Sequence, residues 1–252
     1  MSDRLQQVLV IIATIVMIIL NGLAATGVLG GINTGAVSAK YDTVITPPTF
    51  AFGVWSAIYL GLIVFTIVQA LPSKREAYSR LRIPYLVSCA ANSLWLWLWA
   101  MEMMVLCQIL ISVLLISLAN INIKLKPLGN MRDALAVKLP FGIYFGWVTA
   151  ATILNFSIML LSLKPEFRDL SSETQQAIGC SLMLVAGVIG VTVRFGLRNY
   201  IYPLGIAWAT LAIALGQEMR NPVMLGAIAA FVACLIASGS FIMDMRDSRS
   251  NA

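Results

Sequence analysis

Eight long stretches of this sequence contain no Asp, Glu, Lys or Arg, and they constrain the fold more than any other feature. They cover residues 8–31, 50–71, 83–101, 103–123, 139–161, 176–193, 199–217 and 223–243. Each is close to the length that an α-helix needs to cross a bilayer, about 20 residues. Open sheets cannot face lipid, and the stretches are too continuous for the alternating pattern of barrel strands. We therefore predict an all-α, polytopic integral membrane protein with eight transmembrane helices.

The basic residues indicate how these helices are oriented. Of the 17 Lys and Arg residues, 13 fall at the two termini or in the connections that share their side of the membrane. The opposite side has only Lys40, Lys164, Arg168 and Arg220. Because cytoplasmic loops are enriched in Lys and Arg, we predict that both termini are cytoplasmic, in a cell (inner) membrane. A cleaved signal peptide over the first stretch would spoil this asymmetry, and the stretch is too long for a signal core.

Composition removes several classes of function. The chain has no His, which excludes His-based catalysis, His-ligated zinc and a proximal His on haem. Its four Cys residues lie far apart and form no CxxC pair, so we predict no metal site. The net charge of +6 is scattered between apolar stretches, which argues against nucleic acid as a partner. No ionisable residue falls within a predicted span, so aromatic rings, amides and hydroxyls remain as the working groups.

The connections divide the chain into two predicted units. Residues 164–175 form the clearest polar break, and we place there the boundary between a five-helix membrane domain, residues 1–163, and a three-helix extension, residues 164–252. The connection at Glu102 is so short that it predicts an antiparallel helical hairpin. Pairs of small residues, such as Gly27 with Gly31, suit close helix packing within the chain or in a homodimer.

Aromatic and amide side chains share one face on each of three spans. On the third span Asn92 and Trp95 lie on one face, and Trp97 points to the opposite side. The other members are Phe52, Trp55 and Tyr59 on the second span and Trp147, Ala151 and Asn155 on the fifth. Their depths converge beneath the long connection 32–49, which predicts an aromatic cavity for a flat, largely apolar ligand. Ordinary helix packing and interhelical hydrogen bonds are the alternatives.

Three segments carry a resemblance to a known family. They are TPPTFAFGVWSAIYLG at 46–61, the pair Asn92 and Trp95, and LPFGIYFGWVTAATILNFSI at 139–158. In this order they resemble the TspO/MBR family, the tryptophan-rich sensory proteins and translocator proteins, which are five-helix membrane proteins. Phe50 and Phe141 stand where the family usually has Trp and Tyr, and FGVW is one residue shorter than the family's FGxxW. The resemblance covers residues 8–162 and leaves the last three spans without a counterpart in short members.

The resemblance implies a ligand and a pocket. Family members bind tetrapyrroles such as porphyrins and haem, or sterols, and are proposed to sense or translocate them. Carried over to this sequence, the pocket consists of Pro47, Pro48, Phe50, Trp55, Asn92, Trp95, Trp147, Ala151 and Asn155, with Tyr59 on the face of Trp55. Without His, haem lacks its usual ligand, so a metal-free porphyrin or another apolar ligand fits at least as well.

Three functions stay open on this sequence. The first is binding of a flat amphipathic ligand for sensing or translocation, with the bilayer and an apolar small molecule as partners and no enzymatic step. The second is secondary transport or export of a neutral or apolar small molecule. The third, enzymatic by resemblance only, is light-dependent porphyrin breakdown at Trp55 and Trp147.

Overall fold

The computed structural model describes residues 2–125, 134–219 and 221–240, and these residues form helices and turns without a strand. The helices are α1 (Asp3–Ala25), α2 (Thr34–Lys40), α3 (Val54–Ala70), α4 (Ser79–Ala100), α5 (Met104–Leu125), α6 (Leu139–Leu163), α7 (Ser172–Leu197), α8 (Tyr202–Leu215) and α9 (Pro222–Gly239). A 3₁₀ turn, Thr49–Gly53, leads into α3, and a π-helical turn, Ala134–Lys138, leads into α6. Lys126, Arg132, Arg220, Arg246, Arg249 and the end of the eighth predicted stretch lie outside the described residues.

The eight longer helices coincide with the eight predicted stretches, but only six are long and apolar enough to cross a membrane by length and composition. These six segments are Asp3–Ala25, Thr49–Ala70, Met104–Leu125, Ala136–Leu163, Ser172–Leu197 and Pro222–Gly239. Helix α4 is not among them, and its first turn carries Arg80 and Arg82. Helix α8 has 14 residues, a length of about 21 Å against a hydrocarbon core of about 30 Å. The all-α membrane fold is confirmed. Six of the eight predicted crossings are supported, and the count of eight stays a prediction.

Two groups of helices share one continuous core. In the first, α1 packs on α3 and α4, α5 packs on α4 and α6, and α3 packs on α6. Helices α4 and α5 form the predicted hairpin, which turns at Glu102 with a positive φ of 57°. In the second group, α7, α8 and α9 pack together, and α8 also lies along α6. Buried residues of both groups belong to one cluster, so the core crosses the predicted boundary at residue 164, and the division into two domains stays a prediction.

Close contact between α6 and α8 depends on two glycines. A Cβ atom on Gly146 would lie 2.1 Å from the carbonyl oxygen of Tyr202, and one on Gly205 would lie 2.5 Å from the carbonyl oxygen of Ile143. Both distances are far below van der Waals contact with backbone atoms, so any side chain there would force the helices apart. The two glycines therefore let α8 approach the helix that carries Trp147.

Two arginines are buried within the helices, each one residue outside a predicted span, 83–101 or 176–193. Arg82 is fully buried in α4, and Arg194 is 2% exposed in α7. The predicted spans were bounded at charged residues, whereas the helices continue through them. Arg82 Nε donates to Gln69 Oε1 at 3.1 Å, and its Nη1 lies 3.5 Å from Asp3 Oδ1. The guanidinium is thus buried with partners, as buried charges require.

Candidate functional site

A short helix, α2, contacts α1, α4 and the 3₁₀ turn that leads into α3, and it forms the roof of the site. The side chain of Asn33 caps its first turn by accepting a hydrogen bond from the backbone N–H of Ala36 at 2.8 Å. Trp99 Nε1 donates to the carbonyl oxygen of Thr34 at 3.1 Å and ties the roof to α4. The structure thus has a helix within residues 32–49, which the sequence predicts as a loop, and Asn33 before a run of small residues is the local signal for it.

Three side chains hold the far end of the roof, and we call them the Glu102 cluster: Lys40, Tyr41 and Glu102. Lys40 Nζ lies 2.6 and 2.7 Å from the two carboxylate oxygens of Glu102, and the Tyr41 hydroxyl donates to the same carboxylate at 2.8 Å. The hydrogen bonds from Lys40 and Tyr41 lower the pKa of Glu102. Burial and the hydrogen bond to Glu102 raise the pKa of Tyr41 to about 12. At neutral pH the carboxylate is therefore charged and the phenol is a donor.

The larger of two cavities under the roof has a volume of about 450 Å³ and lies between α1, α2, α3 and α4. This volume lies within the range of small-molecule pockets, about 300 to 1,000 Å³. Trp55 and Tyr59 supply aromatic wall, and Asn21, Asn33 and Ser56 supply polar groups. The cavity therefore combines a flat apolar surface with a few orienting hydrogen-bonding groups.

The aromatic wall is built on one face of α3. The rings of Trp55 and Tyr59 stack with centroids 5.4 Å apart and an interplanar angle of 15°. Behind them, the edges of Tyr144 and Trp147 meet Trp55 at centroid distances of 5.6 and 6.3 Å. The nearly parallel pair presents a continuous flat surface, and α6 fixes its position from behind.

Amide side chains support this wall from α1 and α4. The Tyr59 hydroxyl donates to Asn21 Oδ1, and Asn21 Nδ2 donates to Asn92 Oδ1 at 2.8 Å. Asn92 is fully buried, and its Nδ2 forms no hydrogen bond within the described part of the chain. Asn92 thus lies behind Asn21 and lines neither cavity. Asn21 was not predicted, because a single amide in a charge-free span gives no spacing signal.

The smaller cavity, about 40 Å³, lies on the other side of Phe52, whose ring borders both spaces. It is lined by the predicted residues Pro47, Trp95, Trp147, Ala151 and Asn155, together with Ser38 from the roof. Ser38 Oγ and Trp147 Nε1 are buried without a hydrogen-bond partner among the described residues. The volume suits about one water molecule, roughly 30 Å³. Phe52 thus divides the single cavity expected from the sequence.

Two predicted pocket residues, Trp95 on α4 and Asn155 on α6, form a direct hydrogen bond. Trp95 Nε1 donates to Asn155 Oδ1 at 3.0 Å, and Asn155 Nδ2 donates to Gln108 Oε1 at 2.9 Å. Gln108 on α5 was not predicted, since a lone amide in an apolar helix gives no positional signal. The three side chains connect α4, α5 and α6 beneath the smaller cavity.

The remaining predicted residues, Pro48 and Phe50, face α8. The Phe50 ring meets Trp208 edge-on at 6.2 Å, and Trp208 Nε1 donates to the carbonyl oxygen of Ala51 at 2.8 Å. A Cβ atom on Gly216 would lie 2.9 Å from Pro48 Cγ. Pro48 and Phe50 line neither cavity and instead attach the start of α3 to the C-terminal helices.

The described residues thus form a bundle of apolar helices with a roofed aromatic cavity at one end. A family model described as TSPO-like protein matches residues 7–242. The chain belongs to the TSPO-like protein family. In this TSPO-like protein the match continues through α7, α8 and α9, beyond the residues 8–162 that carry the resemblance seen in the sequence. No curated protein and no solved structure matches the chain. It is a membrane protein of the TspO type.

Proposed function

We propose that this TSPO-like protein binds a flat amphipathic ligand, a porphyrin or a sterol-like molecule, in the larger cavity and thereby senses or translocates it. The stacked pair of Trp55 and Tyr59 in the wall of a 450 Å³ cavity carries the proposal. A planar ligand gains most from a planar aromatic surface, because offset stacking adds to the free energy of burial. The TSPO-like family is generally non-enzymatic, and we propose no reaction at this site.

The polar groups of the cavity favour a ligand with hydrogen-bonding substituents. Asn33 and Ser56 lie on its wall, and neither brings a charge. A ligand without a metal fits this wall, since the chain has no His and the described residues contain no cluster of His, Cys, Asp or Glu that could hold a metal ion. We therefore choose protoporphyrin as the probe.

Titration of the purified protein with protoporphyrin tests the proposal. Saturable quenching of tryptophan fluorescence and a shift of the porphyrin absorbance are expected for the wild type. Trp55→Leu should weaken binding by about twofold to tenfold, since an aromatic pair contributes roughly 0.5 to 1.5 kcal/mol beyond burial. Trp147→Leu should have a smaller effect, because Trp147 lines the other cavity and meets Trp55 only at its edge.

Trp97→Leu is the matched control, because Trp97 is 54% exposed on the outer face of α4 and lines neither cavity. Its affinity, read from porphyrin absorbance, should equal that of the wild type. Absence of saturable binding, or equal affinities for the Trp55 and Trp97 variants, would refute the proposed site.

Secondary transport is the second candidate function. It is favoured by a series of polar side chains that lie between α1, α3 and α4, beyond the larger cavity. Thr14 Oγ1 lies 2.9 Å from Thr66 Oγ1 and 2.8 Å from the Tyr85 hydroxyl, where α1, α3 and α4 meet. Gln69 and Arg82 lie beyond them toward the opposite end. Such groups offer a polar route between helices that separate. Uptake by vesicles that requires an ion gradient would favour transport, and uptake indifferent to any gradient would exclude active transport.

A further inference from the structure

A third cavity, about 260 Å³, lies apart from the roofed site, between α6 and α7. It is walled by Ser157 and Leu160 of α6 and by Ile178 of α7, and it is closed at one end by residues 42–45 and 167–170. Helix α6 packs mainly against α5 and α8 and contacts α7 much less. The two helices therefore diverge and leave a space at the junction of the two helix groups.

The inner wall of this α6–α7 cavity is firmly packed. Ile45 is 1% exposed and belongs to a buried cluster with residues of α7, α8 and α9. A Cβ atom on Gly179 would lie 2.7 Å from Val44 Cγ2, so α7 lies directly against this segment. Gln217 Nε2 donates to the carbonyl oxygen of Val44 at 3.0 Å. Packing and this hydrogen bond therefore fix the segment 44–45 that forms the inner wall of the cavity.

The outer side of the cavity opens on the face that meets lipid. Phe156 is 44% exposed and Ile178 is 47% exposed, and both side chains line the opening. In a membrane protein these apolar groups are covered by acyl chains. A chain that entered the cavity would exchange one apolar environment for another and would gain contacts with Leu160 and Leu161.

The end of the cavity near the roof is charged on both sides. Asp42 and Arg168 line it, both are exposed, and neither side chain forms an ion pair or a hydrogen bond with any residue that the structure describes. The loop that carries Arg168 is held in place, because Gln175 Nε2 donates to the carbonyl oxygens of Arg168 and Leu170 at 3.1 and 2.9 Å. One cation and one anion therefore stand at the rim without a protein partner in the described chain.

We propose that the α6–α7 cavity binds one membrane phospholipid with a zwitterionic headgroup. One acyl chain lies between α6 and α7, the phosphate binds Arg168, and the ammonium group binds Asp42. Arginine pairs with phosphate through two parallel hydrogen bonds, and the carboxylate complements the amine. An anionic lipid without an amine satisfies Arg168 and leaves Asp42 facing a negative headgroup, so it binds less well.

Native mass spectrometry tests this on the whole protein, released from nanodiscs that contain equal amounts of phosphatidylethanolamine and phosphatidylglycerol. One phosphatidylethanolamine should stay bound per chain, in preference to phosphatidylglycerol. Ser157→Trp fills the cavity and should abolish retention. Arg168→Gln should lower the affinity for both lipids by about tenfold or more, and Asp42→Asn should remove the preference between them.

Two matched variants control for these changes. Ser181→Trp places the same ring on an exposed position of α7 outside the cavity, and Lys164→Gln removes a neighbouring charge that does not line it. Both should retain lipid like the wild type. Equal retention in the Ser157 and Ser181 variants, or equal retention of the two lipids by the wild type, would overturn the proposal. Arg168 is exposed, so its variant tests the site without disturbing the fold. The outcome is independent of porphyrin binding, which is measured separately.

Discussion

Glu102→Gln should loosen the roof of the candidate site while leaving the helix bundle intact. Glu102 accepts from Lys40 and Tyr41, and these bonds fix the last turn of α2 to the hairpin between α4 and α5. The amide of Gln keeps the shape of the side chain and one acceptor oxygen but loses the charge. The change therefore isolates the electrostatic part of the attachment.

The size of the effect of Glu102→Gln depends on how exposed the ion pair of Lys40 and Glu102 is. The side chains of Lys40 and Glu102 are 57% and 29% exposed, so water screens much of their attraction. Exposed ion pairs contribute about 0.2 to 1 kcal/mol. Because two donors converge on one carboxylate, we expect about 0.4 to 1 kcal/mol, which makes roof opening about twofold to fivefold more frequent.

Hydrogen–deuterium exchange of peptides that cover residues 33–41 measures this opening. The amide of Val37 donates to the carbonyl oxygen of Asn33 and exchanges only when the roof helix opens. The variant should exchange faster by the same factor of about two to five. Glu166→Gln is the control, because Glu166 is exposed and forms no ion pair within the described residues.

The pH dependence gives a second test with a definite sign. The closed roof lowers the pKa of Glu102, so its contribution is complete above the pKa of a free Glu, about 4.3, and is lost as the pH falls through the lowered value. The ratio of variant to wild-type exchange rates should then fall toward one. The raised pKa of Tyr41 acts in the opposite direction: its contribution is complete below 10.0 and is lost as the pH rises through about 12. A ratio of one at neutral pH, or a ratio that does not change in acid, would refute the role of the Glu102 cluster.

Two further predictions concern the bundle itself, and thermal unfolding in detergent measures both. Gly146→Ala should destabilise the protein by about 1 to 3 kcal/mol, since its Cβ meets the backbone of Tyr202, whereas Gly22→Ala, with nothing within 4 Å, should be neutral or slightly stabilising; equal melting temperatures would contradict this packing. Gln69→Leu removes the acceptor of Arg82 Nε from a fully buried site and should cost about 1 to 3 kcal/mol, while Gln69→Glu keeps an acceptor and should cost less.

Hydropathy predicted the helices well because their length and their lack of charge have one physical cause. A chain in lipid must satisfy its backbone hydrogen bonds within the helix and keep charges at the ends. The same rule misplaced the boundaries where a charge is buried with partners. The predicted span stops after Arg82, yet α4 begins at Ser79. The partners that stabilise Arg82 inside the helix bundle, Gln69 and Asp3, lie on other helices, so no local sequence pattern predicts them.

The site was predictable in its parts and not in their arrangement. Helical spacing placed Trp55 and Tyr59 on one face, and both line the larger cavity. Spacing within single helices does not reveal that the ring of Phe52 separates this cavity from Trp147, because that depends on how the 3₁₀ turn enters α3. The positions of Pro48 and Phe50 could not be predicted for a similar reason, because their contacts with Gly216 and Trp208 depend on how the C-terminal helices pack.

The distribution of polar groups along the bundle limits how the candidate site can work. Its side chains are amides, hydroxyls and indoles, and the buried charge of Arg82 lies at the opposite end, beyond Thr14 and Tyr85. Such a site has no group that changes charge near neutral pH, so ligand affinity depends on stacking and on access under the roof. We expect access to depend on the Glu102 cluster, because its ion pair attaches the end of α2 to the hairpin between α4 and α5. We therefore expect a ligand to enter and leave through the opening of α2. A bound ligand that holds α2 closed should slow the hydrogen–deuterium exchange of residues 33–41.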